Sequence, residues 1–142
     1  MTAYWLFKSE PDEWSWEQQV QAGEKGEQWT GVRNHLAKKH MKAMKIGDMG
    51  FFYHSNVGKE IVGIVQIIKE FEPDPTDESG KFGMVTIKAI QPLHKAVPLS
   101  VIKQTPELQK MSLVTCSRLS VQPVTVDEWQ TICALGGINS SI

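Results

Sequence analysis

His54 and Ser55 stand side by side, and Glu10, Asp12 and Glu13 form an acidic group upstream, so a base, a hydroxyl and an acid are all present. Hydrolysis or group transfer needs such groups oriented on one another within hydrogen-bond reach. Successive side chains of a regular strand point to opposite faces, which separates His54 from Ser55. His35 and His40 are five apart on an expected helix and share no face, a poor metal pair. Cys116 precedes Arg118 by two positions and could be a reactive thiol, although a buried small side chain is the commoner state. No nucleophile elbow, P-loop, zinc-protease helix or dinucleotide fingerprint occurs. The expectation is a protein that is not an enzyme and takes no cofactor and no metal. The reading left open beside it is an enzyme acting on a nucleotide or nucleic acid through His54 and Glu10.

A different chemistry is written in three segments that set aromatics beside hydrogen-bonding groups: Trp5–Pro11, Trp29–Asn34 and Phe51–Asn56. Aromatic faces to stack on, with Ser, Asn and backbone groups to read an edge, are what a planar heterocyclic base requires. Trp5, Phe7, Phe51 and Phe52 read as core. Trp29 lies in a glycine-containing loop and is the stacking candidate. The charge pattern points the same way. The net charge is only −1, but residues 28–47 carry Arg33, Lys38, Lys39, Lys42 and Lys45 with no acid, next to Trp29. Such a block attracts a phosphate backbone, and Lys38, Lys39 and Lys42 are the candidate phosphate contacts. A small-molecule or protein-interaction domain using the same pocket is the third reading.

These groups need elements to hold them. The residues predict strands at 4–8, 49–55, 60–71, 82–90 and 119–124, the fourth ending before Pro92. Capping boxes at Ser15 and Thr125 open helices over about 16–22 and from 126, the latter with Val126, Trp129, Ile132 and Cys133 on one face. Asn34 caps a helix reaching Met44, with Leu36, His40 and Met44 opposite Lys39 and Lys42. Short helical turns fit 99–104 and 106–111. The sum is an α+β domain, a small barrel with helices over its ends. At 142 residues, 41% of them hydrophobic and 22% charged, the chain fits one globular domain, residues 1–142. Its longest early apolar run, Tyr4–Phe7, is too short for a signal peptide or a membrane span. Two cysteines in such a chain read as reduced thiols in a cytoplasmic protein with no membrane partner.

Six segments in order, Trp5–Pro11, Trp29–Asn34, Met44–Asp48, Phe51–Asn56, Gly63–Val65 and Arg118–Val124, resemble the successive signatures of the EVE domain family, a PUA-like group related to YTH domains. The resemblance runs from Tyr4 to about Leu135. It implies a PUA-like mixed or antiparallel β-barrel of five or six strands with flanking short helices. It also implies a pocket for a flipped, modified base, methylated or hydroxymethylated cytosine, in DNA or RNA. By resemblance the pocket positions are Lys8, Ser9, Trp29, Gly31, Val32, Arg33, Asn34, His54, Ser55 and Asn56. Ser9 with Asn34 or Asn56 would read the base edge. Two departures stand out: Trp14 replaces a common Tyr, and the loop between the Val62 and Val85 strands is short, lacking a Pro-basic-Trp sequence. Phe82 would then stand in for that Trp and stack on the base with Trp29.

Overall fold

The computed structural model describes residues 2–140. Six strands, β1 (Tyr4–Ser9), β2 (Glu27–Gln28), β3 (Met49–His54), β4 (Glu60–Pro73), β5 (Gly83–Pro98) and β6 (Val121–Val124), form one mixed sheet in the order β2-β5-β4-β3-β1-β6. Around it lie α1 (Trp16–Gln21), α2 (His35–Ala43), α3 (Leu99–Gln104), α4 (Ser112–Thr115) and α5 (Val126–Leu135). The class is α+β. The expected barrel is not closed: β2 and β6 are edges, and no pairing joins them among the described residues.

β1 and β3 run parallel, from Tyr4 opposite Met49 to Ser9 opposite His54, whereas the other pairings are antiparallel. Two parallel strands in register end at the same place, so the exits of β1 and β3 deliver Ser9–Glu10 and Ser55–Asn56 side by side. The Ser55 N–H donates to the Ser9 carbonyl at 2.9 Å, and the Lys8 N–H donates to the Ser120 carbonyl at 2.9 Å. The end of β1 is thereby clamped between two segments.

Both faces of the sheet are buried, because neighbouring residues of β1 and β3 project to opposite sides. Leu6, Phe51, Tyr53, Ile61 and Ile64 pack with Ile102 of α3, Leu113 of α4 and Trp129 and Ile132 of α5. On the other face Trp5, Phe7, Phe52, Val65 and Ile87 pack with Trp16 of α1, Trp29, and Ala37 and Met41 of α2.

The caps form as the residues predict. Ser15 with Gln18 and Thr125 with Glu128 make complete capping boxes, and Asn34 Oδ1 accepts the Ala37 N–H at 2.9 Å. Several faces differ. The buried row of α2 is Ala37 and Met41, continued by Met44, while Leu36 is exposed. Val126, in the first turn of α5, is exposed, leaving Trp129, Ile132 and Cys133 as the packed face. β5 runs through Pro92 because the ladder slips between Ile61 and Gly63, and Pro92 sits opposite Gly63 at that irregularity. The region expected as one turn over 106–111 resolves into a 3-10 turn at Pro106–Leu108 followed by α4. Cys116 is exposed rather than buried, whereas Cys133 is buried and burial pushes its thiol up to about 11. No helix among the described residues is long and apolar enough to cross a membrane.

Candidate functional site

A cavity of about 520 Å³ opens where β1 and β3 end. Lys8 and Ser9 come from β1, Ser55 and Asn56 from the exit of β3, and Trp29, Gly31, Val32 and Arg33 from the loop between β2 and α2. These eight of the anticipated pocket residues share one cavity.

The β2–α2 loop is held by a carboxylate that the sequence reading passed over. Asp74, in the polar loop after β4, has no exposed side-chain surface. It accepts the Gly31 N–H at 2.8 Å, Arg33 Nη1 at 3.1 Å, and the Thr76 N–H and hydroxyl at 2.7 and 2.6 Å. Burial alone would raise its carboxyl, but the hydrogen bonds from Thr76, Gly31 and Arg33 outweigh burial and hold it below the ordinary carboxylate range. Gly31 turns the loop at φ +83°, a conformation that favours glycine. Arg33 is thus a half-exposed cavity wall tied back to Asp74 and Thr76.

Trp29 differs from the expected free stacking platform. It is only 9% exposed, and it meets Phe7 and Phe52 edge to face at 5.5 and 5.9 Å. Its backbone N–H donates to Val85 O at 2.8 Å. Extending the sheet edge through β2 carries the indole into the core, so Trp29 lines the cavity with little of its surface exposed. The half-buried aromatic on the cavity is Trp14, whose Nε1 donates to Gln19 Oε1 at 2.8 Å. Gln19 is itself buried and donates to Ile87 O at 3.1 Å, which fixes the Trp14 ring. The signal for Trp14 was present in the sequence as the departure from tyrosine.

Asn34, His54 and Phe82 lie outside the cavity lining. The Asn34 carbonyl oxygen is engaged in capping α2. His54 Nε2 accepts the Trp16 N–H at 3.1 Å, so that nitrogen is unprotonated; burial lowers the imidazole's pKa against upward pulls from Glu17 and Glu60. Phe82 lies 4.9 Å from His35, with Arg33 5.8 Å and Lys38 5.7 Å from its ring centre. It backs Arg33 and α2 instead of facing Trp29. Lys42 stands 5.8 Å over Phe71, so Lys38 and Lys42 form one ridge with aromatic support, while Lys39 points elsewhere around α2.

Charge in the cavity is mixed. Glu10, Glu13 and Glu27 contribute carboxylates, and Lys8, Arg33 and Arg118 contribute cations. The Glu10 carboxylate accepts Asn56 Nδ2, leaving the Asn56 carbonyl and second N–H available. Burial raises the Glu27 carboxyl, partly offset by Lys25. Burial lowers the Lys8 ammonium against an upward pull from Cys116, and Lys8 Nζ donates to Ser117 O at 2.6 Å. Ser9 Oγ donates to Trp14 O, joining β1 to the Trp14 wall. Glu27 and Ser117 line the cavity with no local pattern to mark them, and Glu13, Trp14 and Arg118 join them only because separate, short segments converge here. No group of three His, Cys, Asp or Glu side chains among the described residues is placed to hold a metal ion. Chemically, the arrangement offers an aromatic wall, paired donors and acceptors, and cations at the rim. A planar, hydrogen-bonding ligand fits it.

Known proteins share this architecture. Thymocyte nuclear protein 1 of Mus musculus is 32% identical over 95% of this chain and 74% of its own length. A protein from Rhodopseudomonas palustris, solved by NMR, is 61% identical, with a TM-score of 0.91 over 96% of this chain and 94% of that one. The crystal structure of the human THYN1 protein in complex with 5-methylcytosine containing DNA is 30% identical, with a TM-score of 0.87 over 97% and 99% of the two chains. The model of the EVE domain matches residues 3–135, which takes in every strand described above, and this chain belongs to the EVE domain family.

Proposed function

We propose that this cavity takes a methylated or hydroxymethylated cytosine turned out of DNA, and that the protein reads the base without converting it. The observation that carries the reading is the meeting of Trp14, Glu10 and Asn56 around one 520 Å³ space at the end of the parallel strand pair. Trp14 supplies a fixed stacking wall, and a stacked base is worth about 1–3 kcal/mol. A carboxylate accepts from the exocyclic amine of cytosine, and an asparagine amide answers a neighbouring acceptor and donor. Glu10 and Asn56 offer that pair. Lys38 and Lys42, with Arg33, hold phosphates, since such contacts position the nucleic acid while the pocket specifies the base. Support for DNA over RNA comes from the human relative's complex with 5-methylcytosine containing DNA.

Turnover would need an oriented base and nucleophile at the bound ligand. His54, the base of the enzyme alternative, lies outside the cavity lining and is engaged by the Trp16 N–H. The test is a panel of short DNA and RNA oligonucleotides differing in one base modification, measured at fixed salt. Preferential binding of methylated or hydroxymethylated cytosine in DNA, with every probe recovered unchanged by mass spectrometry, is the expected outcome. Equal affinity for modified and unmodified strands would overturn the proposal.

A further inference from the structure

We infer that Val57, at the tip of the turn between β3 and β4, is an apolar plug that enters duplex DNA and occupies the place vacated by the extruded base. The inference rests on the base-pocket reading above. Asn56 and Lys59 are the two non-glycine residues with positive φ among the described residues, at 65° and 49°, and Gly58 between them lies at 89°. Glycine adopts this conformation freely and asparagine tolerates it, so the strain falls on Lys59, and such a residue persists where the surroundings fix it, commonly at functional sites.

The fixing contacts are visible. The Val57 N–H donates to Ser55 O at 2.7 Å, and the Leu99 N–H donates to Lys59 O at 2.8 Å. Asn56 Nδ2 donates to the Glu10 carboxylate inside the cavity. The turn therefore holds Val57 out at 61% exposure directly after a cavity-lining residue. Single exposed apolar residues are ordinary on a protein surface. Of the exposed ones here, Val20, Leu36, Ile46, Val101 and Val126 have no cavity-lining neighbour in the chain; Val57 does.

Extruding a base leaves an unstacked gap, and proteins that distort DNA fill such gaps with apolar side chains. A β-branched valine is stiff at χ1, so it loses little rotamer freedom on insertion. Lys59 of the same turn and Lys103 line a recess of about 380 Å³, where cations can meet a phosphate of the flanking strand. Pocket, plug and phosphate contact then follow one another along one short turn.

The experiment compares wild type, Val57→Gly and Val57→Leu at one salt concentration against three probes. These are a duplex with one 5-methylcytosine, the same strand unpaired, and the free 5-methylcytosine nucleoside. Val57→Gly should weaken duplex binding about tenfold and leave the strand and the nucleoside within about twofold, while Val57→Leu should keep duplex affinity. Melting curves matching wild type establish that the variants fold. Unchanged duplex binding by Val57→Gly, or equal loss on all three probes, would overturn the plug. Wild-type binding to strand and nucleoside but not duplex would overturn the plug alone; binding to none of the three would overturn the pocket reading and the plug together.

Discussion

The Asp74 carboxylate accepts the Gly31 N–H at 2.8 Å and Arg33 Nη1 at 3.1 Å, so a side chain from the loop after β4 sets the shape of the cavity wall after β2. Asp74→Asn removes the charge and forces an N–H toward groups that are all donors. It should lower stability by about 1–3 kcal/mol and weaken ligand binding, as seen in denaturant melts and titrations. Because the folded carboxyl lies below the unfolded value of about 3.9, its contribution is complete above that pH and disappears as pH falls through the folded value. The stability gap between wild type and Asp74→Asn should therefore be constant near neutrality and close in acid below about pH 4.

Trp29 meets Phe7 and Phe52 edge to face and is largely buried where it lines the cavity. Trp29→Ala should cost about 3–5 kcal/mol of stability, as large aromatic truncations in cores do. Trp14→Ala, at a half-buried wall residue, should cost less stability but weaken modified-base binding by about 1–3 kcal/mol. Loss of binding in Trp14→Ala without loss of the thermal transition separates wall from core. Full binding by a folded Trp14→Ala would assign the stacking elsewhere.

Gly63 faces the Trp16 ring so closely that a Cβ there would lie 2.4 Å from two of its atoms. Gly63→Ala must displace Trp16, and with it the N–H that His54 accepts. Overpacking of this kind costs about 1–3 kcal/mol, measurable as a lower midpoint in urea. An unchanged midpoint would mean that α1 shifts freely, contrary to its packing on the sheet.

Lys38 and Lys42 stand over Phe82 and Phe71 on one ridge of α2, and Lys39 does not. If the ridge holds DNA phosphates, Lys38→Gln and Lys42→Gln should each reduce the log–log salt slope of binding by about one. Lys39→Gln should leave it nearer the wild-type slope. Equal slopes for all three variants would remove the ridge from the interface.

Local signals in the residues carried furthest. Ser15, Asn34 and Thr125 cap helices because a short polar side chain followed by the right partner satisfies free N–H groups within one turn. The collinear segments likewise place eight residues around one cavity. What was not legible depends on contacts between distant segments. Asp74 looked like one acid in a polar loop, and its role exists only because β4 and β5 return that loop to Gly31. Asn34 and His54 carry polar atoms suited to a ligand, but a helix end and the Trp16 N–H take them first. Leu36 fits a helical stripe as well as Ala37 does, but the docking of α2 on the sheet turns Ala37 and Met41 inward and leaves Leu36 exposed.

His54 separates reader from enzyme. Its Nε2 accepts the Trp16 N–H, an interaction that protonation abolishes, and burial holds its pKa below the ordinary value of about 6.5. A histidine whose folded pKa is depressed contributes stability that is complete above the unfolded value and is lost as pH falls through the folded one. Wild-type stability should thus decline from about pH 6.5 downward, and His54→Gln, whose amide oxygen can accept the same N–H, should flatten that decline. If His54 were a general base, the same substitution would abolish conversion of a nucleotide or oligonucleotide, because glutamine cannot take up a proton near neutrality. The expected result is a flatter stability profile between pH 5 and 7 with substrates recovered unaltered from both proteins. Conversion by wild type that vanishes in His54→Gln would establish catalysis and displace the reader assignment.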